Sequence, residues 1–203
     1  MNPQVHAYIL AGGHSSRFGS DKARAIVHGQ PLIDRLAAAL TPECVSITVV
    51  AQCSDAYQDL GLRTIADGEA HQGPLAGLLR ALEDLAENMR ADSIHPTESF
   101  ERNIWALVIS CDLVQWEPAW LASLLSSCRE GTSAITFRSD HRQPFPGLYH
   151  PRLIETIRTR LQQGNGAMHA LLDDPNCDSI AVDLGELPTI RCFNTQEELR
   201  RWQ

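Results

Sequence analysis

Val5-His-Ala-Tyr-Ile-Leu-Ala-Gly-Gly-His-Ser-Ser-Arg-Phe-Gly-Ser-Asp-Lys22 is the stretch on which the reading of this chain turns. Residues 5–11 are a short apolar run that Gly12 and Gly13 end, the pattern of a buried parallel strand meeting a loop. Without a Cβ, Gly12 and Gly13 let the chain turn and bring backbone N–H groups close to an anion. Arg17 adds a planar fork of donors and Lys22 a point charge, and together these parts suit a triphosphate. A Gly-Gly pair alone more often marks an ordinary strand-to-helix turn, and it is the two cations that shift the balance. Neither the Gly-x-x-x-x-Gly-Lys-Ser/Thr spacing of a P-loop nor the Gly-x-Gly-x-x-Gly of a dinucleotide fold is present.

Outward from this loop, strand-like and helix-like segments alternate. That order predicts an α/β fold in three layers, Rossmann-like, with a mostly parallel sheet and helices on both faces. A helix is expected over 31–40 with Pro31 at its start, a strand over 46–51, a short helix over 55–60 and a strand over 63–66. Gly73-Pro-Leu-Ala-Gly77 then opens a helix in which Leu75, Leu78, Leu79, Leu82, Leu85 and Met89 recur at three- and four-residue steps, a core stripe. Between Asn88 and Asn103 the periodicity fails, which predicts a surface excursion over 88–103. A central strand follows over 104–110. Further on, a helix is expected over 116–127, strands over 133–138 and 143–149, and a helix with Leu153, Ile154, Ile157 and Leu161 on one face.

Asp112 falls just past the carboxyl end of the 104–110 strand, where open α/β sheets bind ligands. A carboxylate there can hold a cation that screens a triphosphate, although strand-ending aspartates also serve as turn or cap residues. Asp67 closes the 63–66 strand beside Gly68 and Glu69, where a solvated turn aspartate is one account of it. Arg138, Asp140, His141 and Arg142 cluster before the 143–149 strand, as anion-holding candidates or as a solvated loop.

The 203 residues suffice for one α/β domain, and 43% hydrophobic with 21% charged residues is ordinary globular composition. A formal charge of -8 argues against nucleic acid and anionic membranes as partners, so an acidic substrate would depend on local cations such as Arg17, Lys22 and Arg24. The six cysteines form no Cys-x-x-Cys pair and no zinc-type spacing, which points to reduced thiols. With no long apolar run and no basic leader, a cytoplasmic location is expected.

Leu10-Ala-Gly-Gly-x-Ser-x-Arg-Phe-Gly-x-Asp-Lys22 resembles the signature loop of the molybdenum cofactor guanylyltransferases, the MobA-like branch of the nucleotidyltransferases with a glycosyltransferase-A type fold. Sugar-nucleotide pyrophosphorylases usually place the lysine further from the arginine, and cytidylyltransferases typically read Leu-Ala-Ala-Gly, whereas Gly12 stands here. The Gly73–Gly77 opening resembles the family's second motif, and Cys111-Asp112 its Cys-Asp-x-Pro, with Val114 where proline is usual. Residues 191–199 resemble the closing Asn-x-Asn-Thr-Pro-Glu-Asp/Glu-Leu, with Cys192 and Gln196 as departures; Thr195 and Glu198 form a capping-box pattern.

The resemblance implies transfer of GMP from GTP to molybdopterin or molybdenum cofactor, with release of pyrophosphate and dependence on Mg²⁺. It implies Arg17, Lys22 and Asp112 as catalytic residues, with Asp112 also the metal ligand. Leu10, Ala11, Gly12, Gly13, Lys22, Gln52, Asp67, Pro74, Leu75 and Asp112 would contact the nucleotide, and Asn194, Arg138 and Arg142 the acceptor side. Relatives that use GTP often carry an asparagine after the second strand, where Gln52 stands here. Molybdopterin-transfer proteins and target molybdoenzymes are further implied partners. Two alternatives stay open: a cytidylyl- or sugar-phosphate nucleotidyltransferase of the same fold, and a non-catalytic nucleotide- or cofactor-binding delivery protein.

Overall fold

A computed structural model describes residues 3–12, 21–68, 73–92 and 103–200. In chain order its strands are β1 Gln4–Leu10, β2 Ile26–Val27, β3 Gln30–Pro31, β4 Ser46–Ala51, β5 Thr64–Ala66, β6 Ile104–Ser110, β7 Ala134–Arg138, β8 Arg142–Tyr149 and β9 Ser179–Asp183. Its helices are α1 Leu32–Leu40, α2 Pro74–Asp92, α3 Pro118–Ser126, α4 Ile154–Gln162, α5 Met168–Leu172 and α6 Gln196–Arg200. Seven strands form one sheet in the order β5-β4-β1-β6-β8-β7-β9, and β2 and β3 form a separate small ribbon. Among the described strands of the larger sheet only β8 runs against its neighbours, because residues 139–141 are too few for the crossover a parallel partner to β7 needs.

Both faces of the sheet are covered, and alternation along the central strands decides which residue serves which face. Val5, Ala7 and Ile9 of β1, with Trp105, Leu107 and Ile109 of β6, pack against Leu32, Ile33 and Leu36 of α1 and Trp120 and Leu124 of α3. Tyr8 of β1, with Ala106 and Val108 of β6, packs on the other side against Leu75, Leu78 and Leu82 of α2 and Ile157 of α4. Each fully buried Leu or Ile contributes about 1.5–3 kcal/mol by leaving water.

The strand limits 46–51 and 104–110 coincide with the sequence expectation. Two elements differ. The short helix over 55–60 is only a 3-10 turn, Gln58–Leu60, preceded by a turn and stopped by Gly61, whose left-handed φ of 69° breaks the helical path. The excursion expected from Asn88 begins later: α2 continues to Asp92 through Glu87, Met89 and Ala91, all good helix formers, and Asn88 donates to Asp84 one turn back at 3.1 Å. Residues 93–102 lie outside the described residues.

Candidate active site

The chain runs from β1 outward to β4 and β5, then returns to place β6 on the other side of β1. The direction of winding thus reverses between β1 and β6, and in open α/β sheets the ligand crevice lies outside the carboxyl ends of such a pair. Leu10 and Ser110 end these two strands side by side, and the Cys111 N–H donates to the Leu10 carbonyl at 3.0 Å. Ala11–Gly12, Gln52, Asp67 and Cys111–Asp112 therefore leave β1, β4, β5 and β6 at one edge of the sheet.

The N–H of Ala11 donates to Val50 at 2.8 Å and that of Asp67 to Ala51 at 2.7 Å, which anchors both residues where their strands stop. Gly12 stands against Asp67: a Cβ at position 12 would lie 2.1 Å from Oδ2 of Asp67. Burial pushes the Asp67 carboxyl above its ordinary range. Gln52 is exposed just past β4. At the entrance of α2, Pro74 is exposed, while Leu75 is fully buried, so any ligand contact from Leu75 is through its backbone. Gly77 faces Leu10, whose Cδ2 would meet a Cβ there at 3.3 Å, so the absence of a side chain lets helix and strand end approach.

Lys22 opens a 3-10 turn, Lys22–Arg24, capped by Asp21. Its Nζ lies 3.3 Å from Oδ2 of Asp112 and donates to Oδ1 of Asn194 at 3.2 Å. Its ammonium also stands 5.5 Å from the centre of the Phe193 ring. Asn194 is brought there by the 191–194 segment, which runs back along the start of the 112–114 turn. Phe193 N–H donates to the Asp112 carbonyl at 3.2 Å, Val114 N–H to the Arg191 carbonyl at 2.9 Å, and Leu113 bridges Cys192. Glu198 accepts the Asn194 N–H at 2.6 Å and its own N–H meets the Thr195 hydroxyl at 3.2 Å, a capping arrangement that holds Asn194 at the mouth of α6. Desolvation of the sulfur and then the Asp112 carboxylate push the Cys192 thiol up, leaving a neutral S–H beside Asp112.

The fold thus ends two central strands at Gly12 and at Asp112, with Lys22 between that aspartate and the distant Asn194. Residues 7–178 match the profile of the MobA-like NTP transferase domain. The chain belongs to that family. Among its relatives, a probable molybdenum cofactor guanylyltransferase of Deinococcus radiodurans is 34% identical over 160 residues, 78% of this chain and 74% of that protein. The molybdenum cofactor guanylyltransferase of Serratia proteamaculans is 28% identical over 208 residues, 100% of this chain and 96% of that one. The solved structure of molybdopterin-guanine dinucleotide biosynthesis protein A from Archaeoglobus fulgidus superposes with a TM-score of 0.74 at 18% identity, covering 97% of this chain and 95% of that one, which speaks for the fold.

In this MobA-like chain the expected arginines part ways. Gly13 and Arg17 lie outside the described residues. Arg24, expected to serve an acidic substrate, is instead committed to Asp59, with NH1 and NH2 at 2.8 and 2.7 Å from its two oxygens. Arg142, expected on the acceptor side, donates to the Thr136 hydroxyl at 3.1 Å and the Leu172 carbonyl at 3.2 Å, fastening the β7–β8 hairpin to α5. Acceptors that the tertiary structure brings near thus claim the Arg24 guanidinium and hold Arg142 through Nε and NH1. Arg138 is exposed at the end of β7, at the same edge as the site. Cys192 and Phe193 were missed as neighbours of Asp112 and Lys22, although their place in the closing motif, just before Asn194, was the available signal.

Among the described residues no helix is long and apolar enough to cross a membrane, and no group of three or more His, Cys, Asp or Glu side chains gathers as a metal site. All six cysteines are free.

Proposed function

We propose that this nucleotidyltransferase moves GMP from GTP to the terminal phosphate of molybdopterin or its molybdenum form, releasing pyrophosphate. The observation that carries this reading is the Lys22 ammonium, held 3.3 Å from Asp112 and 3.2 Å from Asn194 where β1 and β6 end. The names of the relatives, molybdenum cofactor guanylyltransferases, support GTP and the pterin as substrates.

The Ala11–Gly12 backbone and Asp67 position the nucleotide, and the amide of exposed Gln52 offers both donors and an acceptor to a base. Lys22 and, from the loop, Arg17 stabilise charge that moves onto the departing pyrophosphate. The attacking phosphate, with a second pKa of about 6, is already largely ionised at neutral pH, so no strong base is needed. Asn194, which accepts from Lys22, serves the acceptor, with Arg138 further along the same edge. Placement and electrostatics carry the reaction.

A hard cation such as Mg²⁺ takes one or two carboxylates and completes its sphere with substrate phosphates and water. Asp112 fits that role: it is an oxygen ligand at a strand end, partly open to solvent, and among the described residues no protein cage surrounds it. Bound there, the cation would neutralise phosphate charge. The free thiols suit a reducing compartment, and we place the reaction in the cytoplasm, with transfer proteins and molybdoenzymes downstream.

The test is to incubate the purified chain with Mg²⁺, molybdopterin and each of the four nucleoside triphosphates, then measure pyrophosphate and dinucleotide. Release with GTP alone is expected. Equal release with CTP would remove the guanine assignment, and nucleotide binding without turnover would favour a delivery protein.

A further inference from the structure

The segment that delivers Lys22 is gripped on both sides by a turn that carries no motif. Asp21, immediately before Lys22, accepts the Ala23 N–H at 3.0 Å with one oxygen and the Tyr57 hydroxyl at 2.9 Å with the other. Arg24, two residues after Lys22, pairs with both oxygens of Asp59 at 2.8 and 2.7 Å and donates to the Ala56 carbonyl at 2.6 Å. Its guanidinium also lies 5.1 Å from the centre of the Tyr57 ring. Tyr57 is only 2% exposed and so has little room to move, and it sits in the β4–β5 connection that begins with Gln52.

Energy alone does not explain these contacts, since an ion pair to an exposed carboxylate adds about 0–1 kcal/mol to stability. Geometry does. A two-pronged arginine–carboxylate pair fixes orientation, and a guanidinium against a buried ring fixes it further. Lys22 carries its charge on a flexible four-carbon stem, so where its backbone stands decides whether Nζ reaches Asp112 and Asn194 together.

We infer that Tyr57 and Asp59 are positioning residues: acting through Asp21 and Arg24, they fix the backbone under Lys22 and thereby set where its ammonium stands at the strand ends. The inference rests on the reading of Lys22 as a charge-stabilising group in nucleotidyl transfer.

The test uses the full chain with Mg²⁺, GTP and molybdopterin. Tyr57→Phe and Asp59→Asn should each lower kcat about 10- to 100-fold, the cost of misplacing a catalytic group, with KM for GTP nearly unchanged. Adding Asp59→Asn to Lys22→Ala should cost nothing further, because Asp59 then has no lysine to position. Lys22 should also become severalfold more reactive toward an amine-acylating reagent in both single variants, read by peptide mass spectrometry. Wild-type kcat in both single variants, multiplicative losses in the double variant, or unchanged labelling of Lys22 would each overturn the clamp. Full turnover by Lys22→Ala would overturn the role of Lys22 and the clamp's purpose with it. If the native chain turns over no triphosphate, the proposed activity falls, and the labelling decides the clamp separately.

Discussion

The Lys22 ammonium lies 3.3 Å from Oδ2 of Asp112, and the two side chains are 14% and 19% exposed. Each also has a second neighbour, Asn194 for Lys22 and the Cys192 thiol for Asp112, so removing one partner does not strand the other without any polar contact. Lys22→Ala and Asp112→Ala should therefore fold, with native near-ultraviolet circular dichroism, yet each should lower pyrophosphate release at least about 100-fold. Single-turnover measurement with GTP checks this, and release within a few-fold of the native rate would remove that residue from the site.

Gly12 and Asp67 make a second close relationship. The group a Cβ would meet at 2.1 Å is the end of the Asp67 side chain, with its Cγ at 3.1 Å, so the carboxylate can rotate away. Gly12→Ala should cost only about 1 kcal/mol of stability, the price of an unfavourable rotamer, while displacing Asp67 from the nucleotide. Calorimetric titration with GTP should show binding weakened by much more than the shift in the urea midpoint suggests. Unchanged binding would mean that Asp67 takes no part in it.

Beneath the sheet, Asp84 of α2 accepts Arg63 at 2.8 and 2.7 Å, the Tyr8 hydroxyl at 2.9 Å and Asn88 at 3.1 Å, and Arg63 also reaches the Thr48 hydroxyl at 2.7 Å. This network ties α2 to β1, β4 and the start of β5. Asp84 is buried while Arg63 is half exposed and can turn to water, so the main cost of Asp84→Ala is the buried Tyr8 hydroxyl left without its acceptor, about 1–3 kcal/mol in urea.

The same carboxylate has a pH signature. Burial by itself would raise the Asp84 pKa, but the hydrogen bonds from Arg63 and Tyr8 outweigh it and hold the group below its ordinary range. Its folded pKa is thus lower than its unfolded one, so its stabilisation is present above about pH 4 and is lost as the pH falls through the folded value. The urea midpoint of the native chain should drop on acidification more steeply than that of Asp84→Asn. Parallel curves would assign the acid sensitivity to other carboxylates.

At the mouth of α6, Thr195→Ala should cost about 1 kcal/mol as a lost cap. Asn194→Ala should instead raise KM for molybdopterin while leaving GTP affinity close to native. An equal loss for both substrates would place Asn194 on the nucleotide side.

Much of this architecture was legible because its signals are local. Apolar runs of strand length marked 46–51 and 104–110, the leucine stripe marked α2, and Gly12 marked the place where β1 gives way to a loop. Propensity and period depend on near neighbours along the chain, so they survive without knowledge of the fold. The placement of Asp112 at the end of a central strand followed from the same logic. The extension of α2 past Asn88 was missed because that turn adds polar residues, which lengthen a helix without extending its apolar stripe.

The sequence by itself determined an α/β chain with a glycine loop, a lysine and a strand-end aspartate suited to a nucleotide's phosphates. Only the tertiary structure decided which cations stay available. Arg24 and Lys22 look alike along the chain, yet Arg24 is claimed by Asp59 and Ala56 while Lys22 reaches Asn194, 172 residues away. Strand order makes that selection: placing β6 beside β1 brings the turn after β6 to the loop after β1, and the 191–194 segment then pairs back onto that turn.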